Sequence, residues 1–127
     1  MSKTIGVGVD LCAVARIEEA IKKEHFFERV FTAGEREYIL SKGKTGASSA
    51  AAMFAAKEAV AKALHTGFAG GVAPWLIEVT HDGAGAPGVQ LSGGALAQLN
   101  AMGGGRVMLS LSHEGDMAIA FAMIEAE

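Results

Sequence analysis

Three charged side chains lie within the apolar, alanine-rich segment "MFAAKEAVAKALHTGF" at residues 53–68, and a fourth interrupts an apolar run near the amino end. The three are Lys57, Glu58 and Lys62, and the fourth is Asp10 in "TIGVGVDL". If the fold brings Asp10 and Glu58 together, the two carboxylates repel each other unless a cation lies between them. Magnesium is the expected cation, because it is typically held by one or two carboxylates together with waters and substrate phosphates. Lys57 and Lys62 beside such an ion would bind phosphate oxygens.

A simpler interpretation treats two of these residues as a surface ion pair. Glu58 and Lys62 are four residues apart with the acid first, which is the favourable arrangement for an exposed pair on a helix. Such pairs are common and weakly stabilising. However, Phe54, Ala59 and Leu64 leave little polar face for a freely hydrated pair. Both interpretations stay open at this point.

The element that carries Asp10 is predicted to be a strand with two unlike faces. Because "TIGVGVDL" alternates, one face carries Ile5, Val7, Val9 and Leu11, and the other carries Gly6, Gly8 and Asp10. The glycine face has almost no side-chain volume, so another element must pack closely there. A helix from about residue 50 to residue 64, with Gly67 close behind as a stop signal, carries Glu58. Its alanines and the strand's glycines permit close backbone approach, which would bring Glu58 toward Asp10.

The remaining pattern predicts an α+β fold, a largely antiparallel sheet packed with the alanine-rich helix. Apolar spacing predicts a helix from Val14 to about Lys23, and Thr32 with Glu35 forms a capping box that opens another helix. "SKGKTGASSA" at residues 41–50 is expected to be a loop. Strands are predicted at 75–81, 89–91, 107–112 and 117–125, with a small helix capped by Ser92 at 94–102 and ended by the glycines at 103–105.

Length and composition are those of an ordinary globular protein, with one domain expected over residues 1–127. The formal net charge of −3 gives no general attraction to nucleic acid or anionic membrane, so an acidic partner must meet a local basic patch. Cys12 is the single cysteine and cannot form an internal disulfide, which favours a reducing cytoplasm. Asp10 counts against a secretory signal in the amino-terminal apolar run. No apolar run reaches the roughly 18 residues needed to span a membrane.

His113 lies in "SLSHEGD", at the end of a predicted strand. A single histidine in a turn is most often solvated or hydrogen-bonded. A Ser112–His113 nucleophile pair is disfavoured, because strand neighbours point to opposite faces and no nucleophile-elbow pattern surrounds the serine. The spacing of His113, Glu114 and Asp116 matches no strong metal motif.

Four segments together resemble bacterial holo-acyl-carrier-protein synthase, the short type of 4'-phosphopantetheinyl transferase. They are "IGVGVDLCAVARIEEA", "RVFTAGERE", "FAAKEAVAKALHTGF" and "LSLSHEGDMAIAFAMIE", and they span nearly the whole chain. The resemblance implies the phosphopantetheinyl transferase fold. It also implies transfer of the 4'-phosphopantetheine group of coenzyme A to a serine of apo acyl carrier protein, with release of 3',5'-ADP. Magnesium dependence, a homotrimer with active sites at subunit boundaries, and a role in fatty acid biosynthesis are implied as well.

The resemblance also assigns roles to individual residues. It implies that Asp10 and Glu58 are the metal ligands, that Lys57 and Lys62 contact the pyrophosphate region, and that His113 contacts coenzyme A. Glu58 and Lys62 are the implied catalytic residues, and the base that takes the serine proton is left open between Glu58 and a metal-bound water. Arg16 matches the arginine that docks the acidic carrier protein, and three further basic residues are plausible additions, namely Lys22, Lys23 and Arg29. The alternative for these basic residues is a solvated helix face.

Two departures from the family pattern keep other functions open. Met53 stands where many relatives have an arginine, and His65 stands where they usually have a glycine. One alternative is a magnesium-dependent pyrophosphate hydrolase that uses the same carboxylates and lysines with water as the nucleophile. Another is a binding module that holds coenzyme A or the carrier protein without transfer.

Overall fold

The computed structural model describes residues 3–126, which form five strands and five α-helices. In chain order these are β1 (Thr4–Ala13), α1 (Val14–Ile21), α2 (Glu24–Val30), α3 (Ala33–Ser41), α4 (Gly46–Ala63), β2 (Ile77–His81), β3 (Pro87–Leu91), α5 (Gly93–Ala101), β4 (Gly104–Glu114) and β5 (Met117–Ala126). Short 3-10 turns precede α4 and β2.

All of the strand pairing among the described residues is antiparallel. The larger sheet has the order β1-β5-β4, and β2 pairs with β3 in a separate two-stranded sheet. In the larger sheet Asp10 lies opposite Ala120, which lies opposite Leu111, and the row two residues along is Cys12, Ala118 and His113. The predicted α+β class is confirmed.

The glycine face of β1 lies directly against α4. A Cβ atom added to Gly8 would lie 1.9 Å from the carbonyl oxygen of Ala59, and one added to Gly6 would lie 2.2 Å from that of Ala63. Both distances are far below van der Waals contact, so no side chain larger than hydrogen fits at either position. The predicted close approach of strand and helix is confirmed.

Helix α4 is the centre of the core. It contacts β1 and β5 along its length, and α1 and α3 pack against it as well. The alanines of β5 at 118, 120 and 122 are fully buried beneath it. Small residues on both elements therefore allow a central helix to lie close to a sheet.

The Thr32–Glu35 capping box is confirmed at the start of α3. The Thr32 side chain accepts a hydrogen bond from the Glu35 amide, and the Glu35 carboxylate accepts one from the Thr32 amide. The two exchanged bonds satisfy amides that a helix start leaves without intrahelical partners.

Several boundaries differ from the sequence-based expectation. The expected loop at 41–50 is mostly structured, because α3 continues to Ser41, a 3-10 turn covers Gly43–Thr45, and α4 begins at Gly46. The glycines at 103–105 do not only end α5, since β4 starts at Gly104. Ser92 occupies the cap position of α5 but makes no side-chain cap bond.

The face of the larger sheet that points away from α4 is apolar and exposed. Val7, Val9 and Leu11 lie on it from β1, and Ile119 and Phe121 lie on it from β5. Each of the five is more than 40% exposed. Contiguous exposed apolar faces of this kind are typical of interaction surfaces. Among residues 3–126, no helix is both long and apolar enough to cross a lipid bilayer.

Candidate active site

Asp10 lies on the α4-facing side of β1, where the glycine face gives way to a carboxylate. Its side chain is 15% exposed, and its Oδ1 lies 3.2 Å from the Nζ of Lys62 on α4. The same ammonium donates to the Val9 carbonyl oxygen at 2.9 Å. Lys62 is thus held at the end of the glycine face by two acceptors of β1.

Glu58 lies one helical turn before Lys62 and is half-buried. Burial raises the pKa of the Glu58 carboxyl, and the negative charge of Asp10 raises it further, while Lys62 and Arg16 act in the opposite direction. The negative charge of Asp10 therefore acts on the Glu58 carboxyl. The ion pair of Lys62 is with Asp10, so the simple Glu58–Lys62 surface pair does not describe this site.

This donor set fits a magnesium ion. Asp10 and Glu58 are two partly exposed carboxylates whose charges interact, and the ammonium of Lys62 already pairs with Asp10. Within residues 3–126, no group of three or more histidine, cysteine, aspartate and glutamate side chains is placed to hold a metal. A protein that offers two oxygen ligands and leaves the rest to water and phosphate matches the habit of Mg²⁺ rather than that of Zn²⁺.

The position of Lys57 does not agree with the sequence-based prediction that this residue contacts phosphate. Its side chain is fully buried, and its Nζ lies 2.8 Å from Glu35 Oε1, 2.8 Å from the Pro74 carbonyl oxygen and 2.6 Å from the Ile77 carbonyl oxygen. An ammonium has three hydrogens to donate, and all three are used here. Lys57 cannot reach a substrate from this position.

Glu35 is the buried partner that sequence reasoning missed. Its Oε1 accepts from the Thr32 amide at 2.8 Å in addition to pairing with Lys57, and its Oε2 accepts from the Val79 amide at 2.7 Å. Burial lowers the pKa of Lys57, and the charge of Glu35 opposes that effect. A lysine on a helix that is buried on most sides needs a carboxylate partner, so the apolar surroundings of Lys57 could have predicted one.

His113 lies on β4, which is separated from β1 by β5 in the larger sheet. It is exposed and lines a cavity of about 240 Å³ together with Ser48, Ser49 and Ala52 of α4. Tyr38 and His81 form another wall of the cavity, with rings stacked in parallel at 4.0 Å between centroids. Asp10, Glu58 and Lys62 do not line this cavity. The aromatic wall was not predicted from the sequence.

The four basic residues predicted to dock a carrier protein are exposed and lie in different settings. The guanidinium of Arg16 lies 5.7 Å from the centroid of the Phe54 ring, and its charge lowers the pKa of Glu58, so it is next to the carboxylates. Arg29 lies over Trp75 at 4.8 Å, and Lys22, which directly follows α1, pairs with Glu19 of that helix at 2.9 Å. Lys23 precedes α2.

The two departures from the family pattern have different structural settings. Met53 is buried in the core, so its side chain packs against apolar neighbours. His65 follows the end of α4 with φ of 69°, in the left-handed region that favours glycine.

Comparisons with known proteins identify the family. A model of the 4'-phosphopantetheinyl transferase superfamily matches residues 6–122, and the chain belongs to this superfamily. The chain is 43% identical over 121 residues to the holo-(acyl-carrier-protein) synthase of Treponema denticola, a match that covers 95% of this chain and 98% of that protein.

Solved structures agree with that relationship. The holo-(acyl-carrier-protein) synthase of Neisseria meningitidis superposes with a TM-score of 0.85 at 35% identity, covering 96% of this chain and 98% of the other. The Helicobacter pylori enzyme in complex with coenzyme A gives a TM-score of 0.79 at 32% identity, covering 93% and 98% of the two chains. The sequence-based family resemblance and the phosphopantetheinyl transferase fold are confirmed.

Proposed function

We propose that this protein transfers the 4'-phosphopantetheine group of coenzyme A to a serine of apo acyl carrier protein and releases 3',5'-ADP. The observation that carries the proposal is the pairing of Lys62 with Asp10 at the end of the glycine face, with Glu58 one helical turn before Lys62 on α4. The chain's membership of the superfamily supports it, as does the coenzyme A complex of a structural relative. The proposed location of the reaction is the cytoplasm, and the proposed pathway is fatty acid biosynthesis.

The reaction needs charge neutralisation and positioning more than a reactive side chain, because the nucleophile arrives on the carrier protein. Asp10 and Glu58 would hold Mg²⁺, which when bound neutralises charge on the pyrophosphate. Lys62 faces the same place and stabilises negative charge on the departing 3',5'-ADP. The base that takes the serine proton is either Glu58 itself or a metal-bound water.

The cavity lined by His113 is the proposed site for another part of coenzyme A. Its parallel Tyr38 and His81 rings and the nearby ammonium of Lys42, 4.8 Å from the Tyr38 ring, offer flat surfaces and positive charge. Such a combination suits an aromatic base and a phosphate.

We propose that a neighbouring copy completes each active site in a homo-oligomer, a trimer by family resemblance. Within one chain, the His113 cavity borders the first turns of α4, and Lys62 is near the end of that helix. From Ala52, the last α4 residue that lines the cavity, the helix axis rises by about 9 Å to Glu58 and about 15 Å to Lys62. The exposed apolar face of the larger sheet supports the association of identical copies.

The basic residues around the carboxylates are the proposed contact for the acidic carrier protein. Arg16 is next to Glu58 and Phe54, so a carrier held there places its serine at the reacting phosphate. Lys22, Lys23 and Arg29 on the neighbouring surface would add to the association rate more than to the final affinity.

The direct test is incubation of the protein with apo carrier protein, coenzyme A and Mg²⁺, followed by mass spectrometry of the carrier. We expect the phosphopantetheine mass increment with the wild-type protein. We expect its rate to fall at least about 10³-fold in Asp10→Asn and in Glu58→Gln, because each removes a negative charge that would hold Mg²⁺. Glu37→Gln, which neutralises an exposed carboxylate on α3, is the matched control and should keep the wild-type rate.

Each alternative function predicts its own result in that experiment. Consumption of coenzyme A without a change in the carrier's mass indicates a pyrophosphate hydrolase. Binding of coenzyme A with no product of either kind indicates a binding module. Full transfer by both carboxylate variants would contradict the proposed metal site.

A further inference from the structure

Helix α4 has no apolar stripe that could fix its rotation about its own axis. Thirteen of its eighteen residues are buried, and eight of the thirteen are alanines distributed around the helix. An amphipathic helix is oriented by the contrast between its two faces, and a helix buried on most sides lacks that contrast. Directional contacts on this helix can therefore help to decide whether Glu58 faces Asp10.

Two sets of contacts on α4 depend on its rotation. On the sheet side, the carbonyls of Ala59 and Ala63 lie against Gly8 and Gly6. On another side, Lys57 makes its three bonds to Glu35, Pro74 and Ile77. The first set is a close contact between backbone groups without hydrogen bonds, whereas the second consists of three directional bonds to three fixed acceptors.

The acceptors are themselves held by the surrounding structure. Glu35 is fixed by the Thr32 amide at the start of α3 and by the Val79 amide of β2. Pro74 and Ile77 belong to the 3-10 turn and the strand that follows it. Rotation of α4 would separate a buried ammonium from a buried carboxylate, and an uncompensated buried charge is strongly destabilising.

Helix geometry gives the distance by which a rotation of α4 would move the Glu58 carboxylate. Lys57 and Glu58 are adjacent, so a rotation that moves one moves the other by the same angle. At about 5 to 6 Å from the helix axis, a rotation of roughly 20° displaces a side-chain end by about 2 Å. A misplacement of about 1 Å in a catalytic constellation is enough to lower a rate about 100-fold.

We propose that Lys57 and Glu35 are positioning residues for the transfer reaction, acting by holding α4 at the rotation that directs Glu58 toward Asp10. This inference rests on the proposed function. In this inference Lys57 positions the helix and does not contact the substrate. The buried ion pair serves orientation, and the neighbouring carboxylate serves chemistry.

The test separates orientation from stability by removing both charges. The variants are Lys57→Met and the double variant Lys57→Met with Glu35→Gln, which leaves no unpaired buried charge. No unpaired buried charge remains in the double variant, but the Pro74 and Ile77 carbonyl oxygens lose their donor, so we expect it to be folded at 10 °C and to melt roughly 10–20 °C below the wild type. Circular dichroism checks both expectations.

Three functional measurements follow on the folded variants. We expect kcat to fall about 10- to 100-fold and KM for the apo carrier protein to stay within about twofold, since the docking surface is untouched. With coenzyme A present, we expect the Kd for Mn²⁺, followed by electron paramagnetic resonance, to rise several-fold. A merely structural role would leave kcat and the Mn²⁺ affinity of a folded variant unchanged. Glu37→Gln on the same helix as Glu35 is the control and should match the wild type in all three.

The possible failures can be told apart. If the wild-type protein transfers nothing from coenzyme A, the proposed function is wrong. If the wild type transfers and the folded double variant equals it in kcat and in Mn²⁺ affinity, the positioning inference is wrong. If both variants are unfolded at 10 °C, the network belongs to the fold alone and the inference is again wrong.

Discussion

Adjacent residues Lys57 and Glu58 carry opposite charges and meet opposite environments. Lys57 is fully buried and uses its whole bonding capacity inside the protein, while Glu58 is half-buried and faces Asp10, a group of its own sign. The difference comes from the angle of about 100° between neighbours on a helix, which places one side chain toward α3 and the other toward β1. A charge in an apolar helix therefore has to be interpreted residue by residue.

The raised pKa of Glu58 gives a prediction for the metal-free protein. The folded pKa lies above the ordinary value of 4.5, so the folded protein holds a proton at Glu58 more tightly than the unfolded chain does. Ionisation of Glu58 above the folded pKa then costs stability, and the cost disappears as pH falls below 4.5, where both states are protonated. We expect Glu58→Gln to be more stable than the wild type at pH 7.5 in the presence of EDTA, with the difference shrinking toward pH 4.5.

Urea unfolding at a series of pH values measures this difference, with Glu37→Gln as the control for loss of an exposed carboxylate. Mg²⁺ should stabilise the wild type but not Glu58→Gln, because binding to the folded state alone raises apparent stability. A Glu58→Gln protein that is less stable than the wild type at pH 7.5 without metal contradicts the assignment of Glu58 as an unfavourably placed carboxylate.

At the scale of elements, local periodicity was sufficient to predict how β1 meets α4. The alternation around Gly6 and Gly8 is visible within a few residues, and close packing is the direct consequence of missing side chains. The capping box was likewise a local signal. The partner of Lys57 was not predictable in this way, because Glu35 is 22 residues earlier and already had a sufficient local role as part of that box.

The start of α4 shows why the expected loop at 41–50 was wrong. Gly46 and the two serines that follow have weak helix propensity, which favours a loop when judged locally. In the fold, Gly46 is buried against α3, where an added Cβ would lie 2.8 Å from the Ile39 carbonyl oxygen. Tertiary packing decides this helix start, and the glycine is required by the approach of α3.

The contact between β1 and α4 predicts the effect of a single methyl group. In Gly8→Ala the new Cβ would lie 1.9 Å from the Ala59 carbonyl oxygen, so α4 has to move away from the strand. We expect a loss of about 1–3 kcal/mol in the free energy of unfolding, as for other overpacked cores. Transfer should fall as well, since Ala59 is adjacent to Glu58. Chemical denaturation and the carrier mass assay measure the two effects.

Gly83→Ala is the matched control for this substitution. No atom lies within 4 Å of a Cβ at Gly83, so we expect stability to change by less than about 0.5 kcal/mol and transfer to be unaffected. Equal stability and activity of the two alanine variants would show that the strand–helix contact is softer than the distances indicate.

At the scale of the whole molecule, a single chain leaves an apolar surface exposed and leaves the His113 cavity without the proposed metal ligands. The exposed apolar face of the larger sheet has Phe121 at 44% exposure, in one row with Val9 across the strand pairing. The His113 cavity contains none of the proposed metal ligands. Association of identical copies through the apolar face would resolve both features if it brings the His113 cavity of one copy to the carboxylates of the next.

Mixing two inactive variants tests this arrangement. One variant is Glu58→Gln and the other is His113→Ala, each expected to transfer poorly by itself. If each site takes Glu58 from one copy and His113 from a neighbour, random assembly of equal amounts restores about one quarter of the sites, because each of the two positions is intact in half of the copies. If the site is complete within one chain, every site keeps one of the two substitutions and mixing restores no transfer.

Adding Phe121→Asp to both variants places a charge in the apolar face and should abolish the restored transfer, with dissociation followed by light scattering. Leu40→Asp, at an exposed leucine on α3 outside that face, is the control that should leave both assembly and restoration unchanged.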